Sequence, residues 1–190
     1  MDDFIIEGKK LIRYEGTDEV VFIPPEVSEI GKEAFANSVN LKSLHFPDDL
    51  ETIGEGAFRG STRLQGTSDI PKKVKAIPAY AFQDCFGLIT LGINLPEHIQ
   101  SIGECAFMNC TSYGIFWLKD CKELKVIDKK AFFGCTSLIR LTLPNSLQEI
   151  REGAFIGCTQ LKPVSIPAGC KIDRHAFDDS TELIFESEIV

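Results

Sequence analysis

Apolar positions recur along this chain in two alternating patterns. Segments such as Leu41-Lys42-Ser43-Leu44-His45-Phe46-Pro47 and Leu138-Ile139-Arg140-Leu141-Thr142-Leu143-Pro144 are apolar at their first, fourth and sixth positions. The alternation at the end of each predicts a short strand with one face inward. Proline usually closes the segment, at Pro24, Pro47, Pro71, Pro96, Pro144 and Pro167. A residue without an N–H cannot continue a hydrogen-bonded ladder, so the strand stops there.

The second pattern is I-x-x-x-A-F. Phenylalanines stand at 35, 58, 82, 107, 132, 155 and 177, at intervals of 22 to 25 residues. Five positions before each comes an isoleucine (30, 53, 77, 102, 127, 150, 172), and three after it a small weak donor: Ser38, Ser61, Cys85, Cys110, Cys135, Cys158 or Ser180. Six after come Leu41, Leu64, Leu88, Tyr113, Leu138, Leu161 and Leu183. The 1, 5, 6 spacing of isoleucine, alanine and phenylalanine is that of a helical turn burying one face.

One strand and one turn of about 23 residues cannot enclose a core, whereas stacked copies can. The expected fold class is therefore α/β: a right-handed leucine-rich-repeat solenoid with short strands on the concave face, short helical turns on the other side and an N-terminal β-hairpin cap. IGEGAFRGSTRL, IGECAFMNC and LPNSLQEIREGAFIGCTQLKPVSIP resemble the BspA-like leucine-rich repeats, with L-P-x-x-L-x-x-I-x-x-x-A-F-x-x-C in each unit. The resemblance covers about residues 20 to 185. It implies a protein of the kind found mainly in bacteria and some protists, often on cell surfaces, and generally taken to serve adhesion or interaction.

The chain is expected to form a single domain over 1–190, with a hairpin cap at 1–19, about seven repeats over 20–185 and a C-terminal end at 186–190. FIIEGKKLIRYEG reads as two strands around Glu7-Gly8-Lys9-Lys10 that cover the first repeat. ELIFESEIV reads as an exposed edge moderated by Glu186 and Glu188. The middle is irregular: Thr67, Ser68 and Asp69 interrupt the second strand segment. The fourth repeat has Tyr113 for leucine, lacks the proline and carries Lys119-Asp120-Cys121-Lys122-Glu123 as an extra loop.

Composition changes this picture little. A net charge of −8 with no basic run argues against nucleic acid, which clustered Lys and Arg would bind. No apolar run approaches the roughly 20 residues of a membrane span, and MDDFIIEGKK is acidic where a secretory leader is basic. The expected location is cytoplasmic if Met1 is the native start, or cell surface or secreted, by resemblance, if a leader has been removed.

The seven cysteines are the most chemically suggestive residues. Four of them fill a slot that serine fills elsewhere, so the slot asks for a small buried donor rather than for sulfur chemistry. Cys105 stands in a slot shared with Glu33, Gly56, Tyr80, Lys130, Gly153 and His175, which reads as exposed. Cys121 falls in the extra loop, and Cys170 replaces the leucine of Leu50 and Leu147. His45, His98 and His175 match no metal motif, and the glycines of GEGAFRG all fall on repeat positions. No catalytic residue, cofactor or metal is expected.

The function read from this is a non-enzymatic protein–protein interaction module. Its expected partner is an unidentified protein or host surface macromolecule. The alternative is a structural or adhesive repeat protein that forms homo-oligomers through its end strands. Outward strand positions supply the candidate binding residues: His45, Thr90, Ile115, Trp117, Arg140 and Thr142. Two readings of Trp117, the single tryptophan, stay open. Alternation with Phe116 and Leu118 turns it outward, while the irregular fourth repeat offers it a place in the core.

Overall fold

The computed structural model describes residues 3–67, 69–88, 94–112 and 114–187. Strand β1 (Phe4–Glu7) and β2 (Lys10–Tyr14) form the N-terminal hairpin. Thereafter, among the described residues, most coils give one strand from the L-x-x-L-x-L segment and a two-residue strand ending in the isoleucine. These are β3 (Val20–Phe22) and β4 (Glu29–Ile30), β5 (Ser43–His45) and β6 (Thr52–Ile53), β7 (Gly66–Thr67) and β8 (Ala76–Ile77). After β9 (Ser101–Ile102) come β10 (Ile115–Trp117) and β11 (Val126–Ile127), β12 (Arg140–Thr142) and β13 (Glu149–Ile150), β14 (Val164–Ile166) and β15 (Lys171–Ile172), and finally β16 (Leu183–Phe185).

The coils stack in parallel register, isoleucine on isoleucine: Ile30 on Ile53, Ile77 on Ile102, Ile102 on Ile127, Ile127 on Ile150 and Ile150 on Ile172. A second ladder joins the other strands, as β3–β5–β7, β10–β12 and β14–β16. Between the ladders the phenylalanines form a column buried to 1% exposure or less from Phe35 to Phe155. Successive rings lie 4.8 to 5.4 Å apart, in or near stacking. Phe46 and Phe116 meet this column edge-on.

The corner that carries each phenylalanine is not helical, and among the described residues there is no helix. The solenoid is built of strands and turns, so the α/β assignment and the helical turns are corrected. The reason lies in where the N–H groups go. Phe107 N donates to Ala131 O (2.7 Å) and Asn109 N to Phe133 O (2.8 Å) on the next coil, while Ala106 and Met108 close turns onto the third residue before them. A helical turn needs every one of these donors inside its own coil. Alternate donors instead point along the stack, giving a third ladder of backbone bonds.

The same geometry puts the residues two before and two after most of the phenylalanines at positive φ, for example Cys105 (52°) and Asn109 (60°) around Phe107. This corrects the reading of Cys105 as exposed: it is 5% exposed. The slot is permissive because its requirement is on the backbone, met by Gly56 and Gly153 without strain and by Glu33, Tyr80, Cys105 and Lys130 at roughly 1 kcal/mol.

Two further registers differ from expectation. Cys121 is not an inserted residue. Leu124 N donates to Cys121 O as Leu50 N donates to Pro47 O, so Cys121 occupies the proline slot and Lys119-Asp120 are the extra pair. Leu183 pairs with Val164 rather than taking the place of Leu161, because the final coil is short.

The hairpin sits where expected, pairing β2 with β4 and laying Tyr14 on Phe35 (5.2 Å) and Phe4 on Tyr14 (5.2 Å). At the other end β16 pairs, among the described residues, only with β14, Phe185 is 68% exposed, and Glu186 beside it lies in solvent. Glu188 lies outside the described residues, as do Ser68, Thr90, Gly92 and Tyr113.

Phe132 has rings on both sides, whereas Phe177 stacks on Phe155 alone. Phe132→Ala is expected to cost about 3–5 kcal/mol and Phe177→Ala distinctly less, read from denaturant midpoints. Equal losses would contradict a stability carried by neighbour contacts.

Candidate functional site

Outward positions of the L-x-x-L-x-L strands are free of packing duty, and they hold the candidate residues. In β10, Phe116 is buried and Ile115 and Trp117 turn away from it, with Trp117 49% exposed. The core alternative for Trp117 is thereby excluded. Parallel pairing sets Ile115 beside Arg140 and Trp117 beside Thr142, so four candidates form one block on two adjacent coils. Arg140 is exposed, and Thr142 Oγ1 is buried without a hydrogen-bond partner. His45 lies apart, three coils toward the N-terminus from Trp117, its ring stacked on Phe22 at 4.2 Å and 6°. Thr90 falls outside the described residues.

Sequence reading missed Lys119. Its ammonium lies 5.9 Å from the centroid of the Trp117 ring, within reach of a cation–π attraction. The signal was present in the two-residue excess of this coil, once Cys121 is assigned to the proline slot. Beside it runs a groove of about 390 Å³ lined by Lys119, Lys122, Leu143, Pro144, Asn145 and Ser146. A larger groove of about 670 Å³ lies on earlier coils, floored by Phe46, Ile70 and Leu95.

Ion pairs run from coil to coil around the exposed surface, among them Arg59–Glu33 (2.9 Å), Lys73–Asp49 (2.7 Å) and Lys122–Glu97 (2.9 Å). Their exposure to solvent, which screens the charges, makes each a weak contributor to stability. Among the described residues, Arg140, Lys119 and Lys162 take part in none of the ion pairs, and no group of three or more His, Cys, Asp or Glu is placed to hold a metal.

The cysteine slot has a defined task. Cys85 Sγ donates to Phe58 O (3.2 Å), Cys110 to Phe82 O (3.2 Å), Cys135 to Phe107 O (3.1 Å) and Cys158 to Phe132 O (3.3 Å). Ser61 Oγ makes the same bond to Phe35 O at 2.8 Å. Each side chain thus satisfies the carbonyl of the phenylalanine one coil back, which either hydroxyl or thiol can do. At the two ends the slot is less enclosed: Ser38 is half-buried and Ser180 exposed.

Comparison with known proteins places this architecture. The BspA type leucine rich repeat region matches residues 18–94 and 91–185, in six copies. A leucine-rich repeat protein from Bacteroides ovatus ATCC 8483 aligns over 94% of this chain and 48% of its own, with TM-score 0.80 and 30% identity. One from Eubacterium ventriosum ATCC 27560 aligns over 90% and 45%, with TM-score 0.78 and 25% identity. The T. pallidum leucine rich repeat protein aligns over 80% and 82%, with TM-score 0.62 and 27% identity. The chain spans about half the length of the first two. A search of curated proteins finds no match.

Burial holds the ladder thiols in their neutral form, pushing Cys85 and Cys158 up to about 12 and Cys110 and Cys135 well above the ordinary 9.0. An unfolded thiol ionises near 8.5, so above that pH the folded chain binds more protons and stability falls as pH rises. Each thiol contributes a slope of up to about 1.4 kcal/mol per pH unit between about 9 and its folded value. Denaturant midpoints should therefore drop between pH 8 and pH 10.5. Cys110→Ser with Cys135→Ser should flatten that drop while leaving the pH 8 midpoint nearly unchanged, and identical slopes would refute the assignment.

Proposed function

Because the chain belongs to the BspA-type leucine-rich repeat family, we propose that it is a non-enzymatic interaction module holding a protein partner on the outward face of its L-x-x-L-x-L ladder. The observation that carries this is Trp117. A half-exposed tryptophan, held rigidly between buried Phe116 and Leu118 and bordered by Ile115 and Arg140, has the chemistry of an interface hot spot. Nothing in the fold requires it there: the same slot holds His45, Thr142 and Ser165 on other coils. A core running without a break from Leu11 to Phe177 supports reading the chain as one domain.

The second reading, an adhesive or structural protein that self-associates, is supported by the ladder ends. Among the described residues β3 and β16 are each paired on one side only, and Phe22 (66%), Ile184 (51%) and Phe185 (68%) are exposed there. Such edges are templates for another strand.

Trp117→Ala should leave the denaturation midpoint within about 0.5 kcal/mol. In a pull-down from the source cell, the wild-type protein should retain a stoichiometric partner that Trp117→Ala binds at least about 2 kcal/mol more weakly. A partner held equally by both proteins would place the site elsewhere. Concentration-dependent sedimentation abolished by Phe185→Glu would favour the second reading.

A further inference from the structure

The block around Trp117 also carries a charge pattern. Lys119 stands two residues after Trp117 with its ammonium over the indole, and Arg140, beside Ile115, stands two residues before the level of Trp117 on the next coil. Lys162 follows on the coil after that, exposed. Among the described residues these three take part in no ion pair, so each is free to meet a carboxylate from outside the chain. The outward strand positions of the three coils, Ile115, Trp117, Arg140, Thr142, Pro163 and Ser165, include no carboxylate in a chain of net charge −8. Asp120 next to Lys119, and Glu186 accepting from Ser165 (2.6 Å), mark the borders of this stretch.

Resting on the interaction-module reading above, we infer that this block receives an acidic–apolar polypeptide segment whose apolar side chain lies against Trp117 and Ile115 and whose carboxylates meet Lys119 and Arg140. The two cations flank the apolar pair: Arg140 lies beside Ile115 on the next coil, and Lys119, in the turn beyond β10, holds its ammonium 5.9 Å from the Trp117 ring centroid. An extended segment projects alternate residues to one side, so the matching pattern is a central apolar residue with Asp or Glu on either side of it. Arg140 can take a carboxylate bidentately, whereas Lys119 acts as a point charge beside the ring. A uniformly acidic chain is disfavoured by the net charge of the solenoid, so the recognised segment carries few carboxylates and a central apolar anchor.

The test uses random dodecapeptides displayed on phage, selected on the purified wild-type chain and counter-selected on Trp117→Ala. The expected result is enrichment of acidic residues on both sides of an aromatic or aliphatic residue. A synthetic peptide of the enriched sequence should shift Trp117 fluorescence on titration. It should bind Arg140→Glu and Lys119→Glu at least 10-fold more weakly and Arg140→Lys within about threefold of wild type. Enrichment of basic or neutral peptides, or binding lost in Trp117→Ala but unchanged by both charge reversals, overturns the acidic partner while leaving the face intact. Peptides that bind Trp117→Ala as well as wild type overturn the face itself. Absence of enrichment, or a wild-type dimer that shields Trp117 from acrylamide and is lost in Trp117→Ala, overturns the proposal in favour of no peptide or a second copy.

Discussion

Backbone hydrogen bonds between successive coils hold parallel strands about 4.8 Å apart, and phenylalanine rings stacked 4.8 to 5.4 Å apart are what fits within that rise. The two spacings agree, so neither the ladder nor the ring column strains the other. The agreement also explains the uniformity of the core. A ring shifted by one residue would fall out of the column and leave voids on both neighbouring coils, so isoleucine, alanine and phenylalanine recur together. The thiols and serines complete this arrangement by capping the carbonyl of each phenylalanine from the next coil. That carbonyl already accepts the N–H of the slot residue in its own coil, and the thiol or hydroxyl adds a second bond from the next coil.

A core so regular leaves chemistry only to the positions it does not use. The buried cysteines serve the stack, and their raised pKa values suit an inert structural donor rather than a nucleophile. The outward strand positions are under no such demand, and they differ from coil to coil. Trp117 and the Lys119-Asp120 insertion beside it sit on the coil that departs most from the pattern. Departure from a strong local rule without loss of the fold is a mark of a functional position.

The candidate block was legible in part. Alternation around Phe116 turned Trp117 outward, and equal register across repeats set Ile115 beside Arg140, as the structure has them. Lys119 was hidden because the extra loop could be aligned in more than one way. The contact of its ammonium with the indole depends on how the inserted pair bends, which no spacing records. His45 was grouped with Trp117 by its equivalent slot, and the structure sets it three coils toward the N-terminus with its imidazole stacked on Phe22.

What the sequence determined by itself was the period, the inward columns and the stack of coils they imply. When near-identical units are stacked by translation, position in the repeat maps directly onto position in space. The tertiary structure decided where each backbone donor points. The corners are turns rather than helix because alternate N–H groups bond the next coil, and that choice sets the positive φ of Cys105 and Asn109, the burial of Cys105 and the proline-like place of Cys121. These depend on which neighbouring chain segment accepts a hydrogen bond. Local periodicity carries no information about a partner some 23 residues away in sequence, and only the assembled stack supplies it.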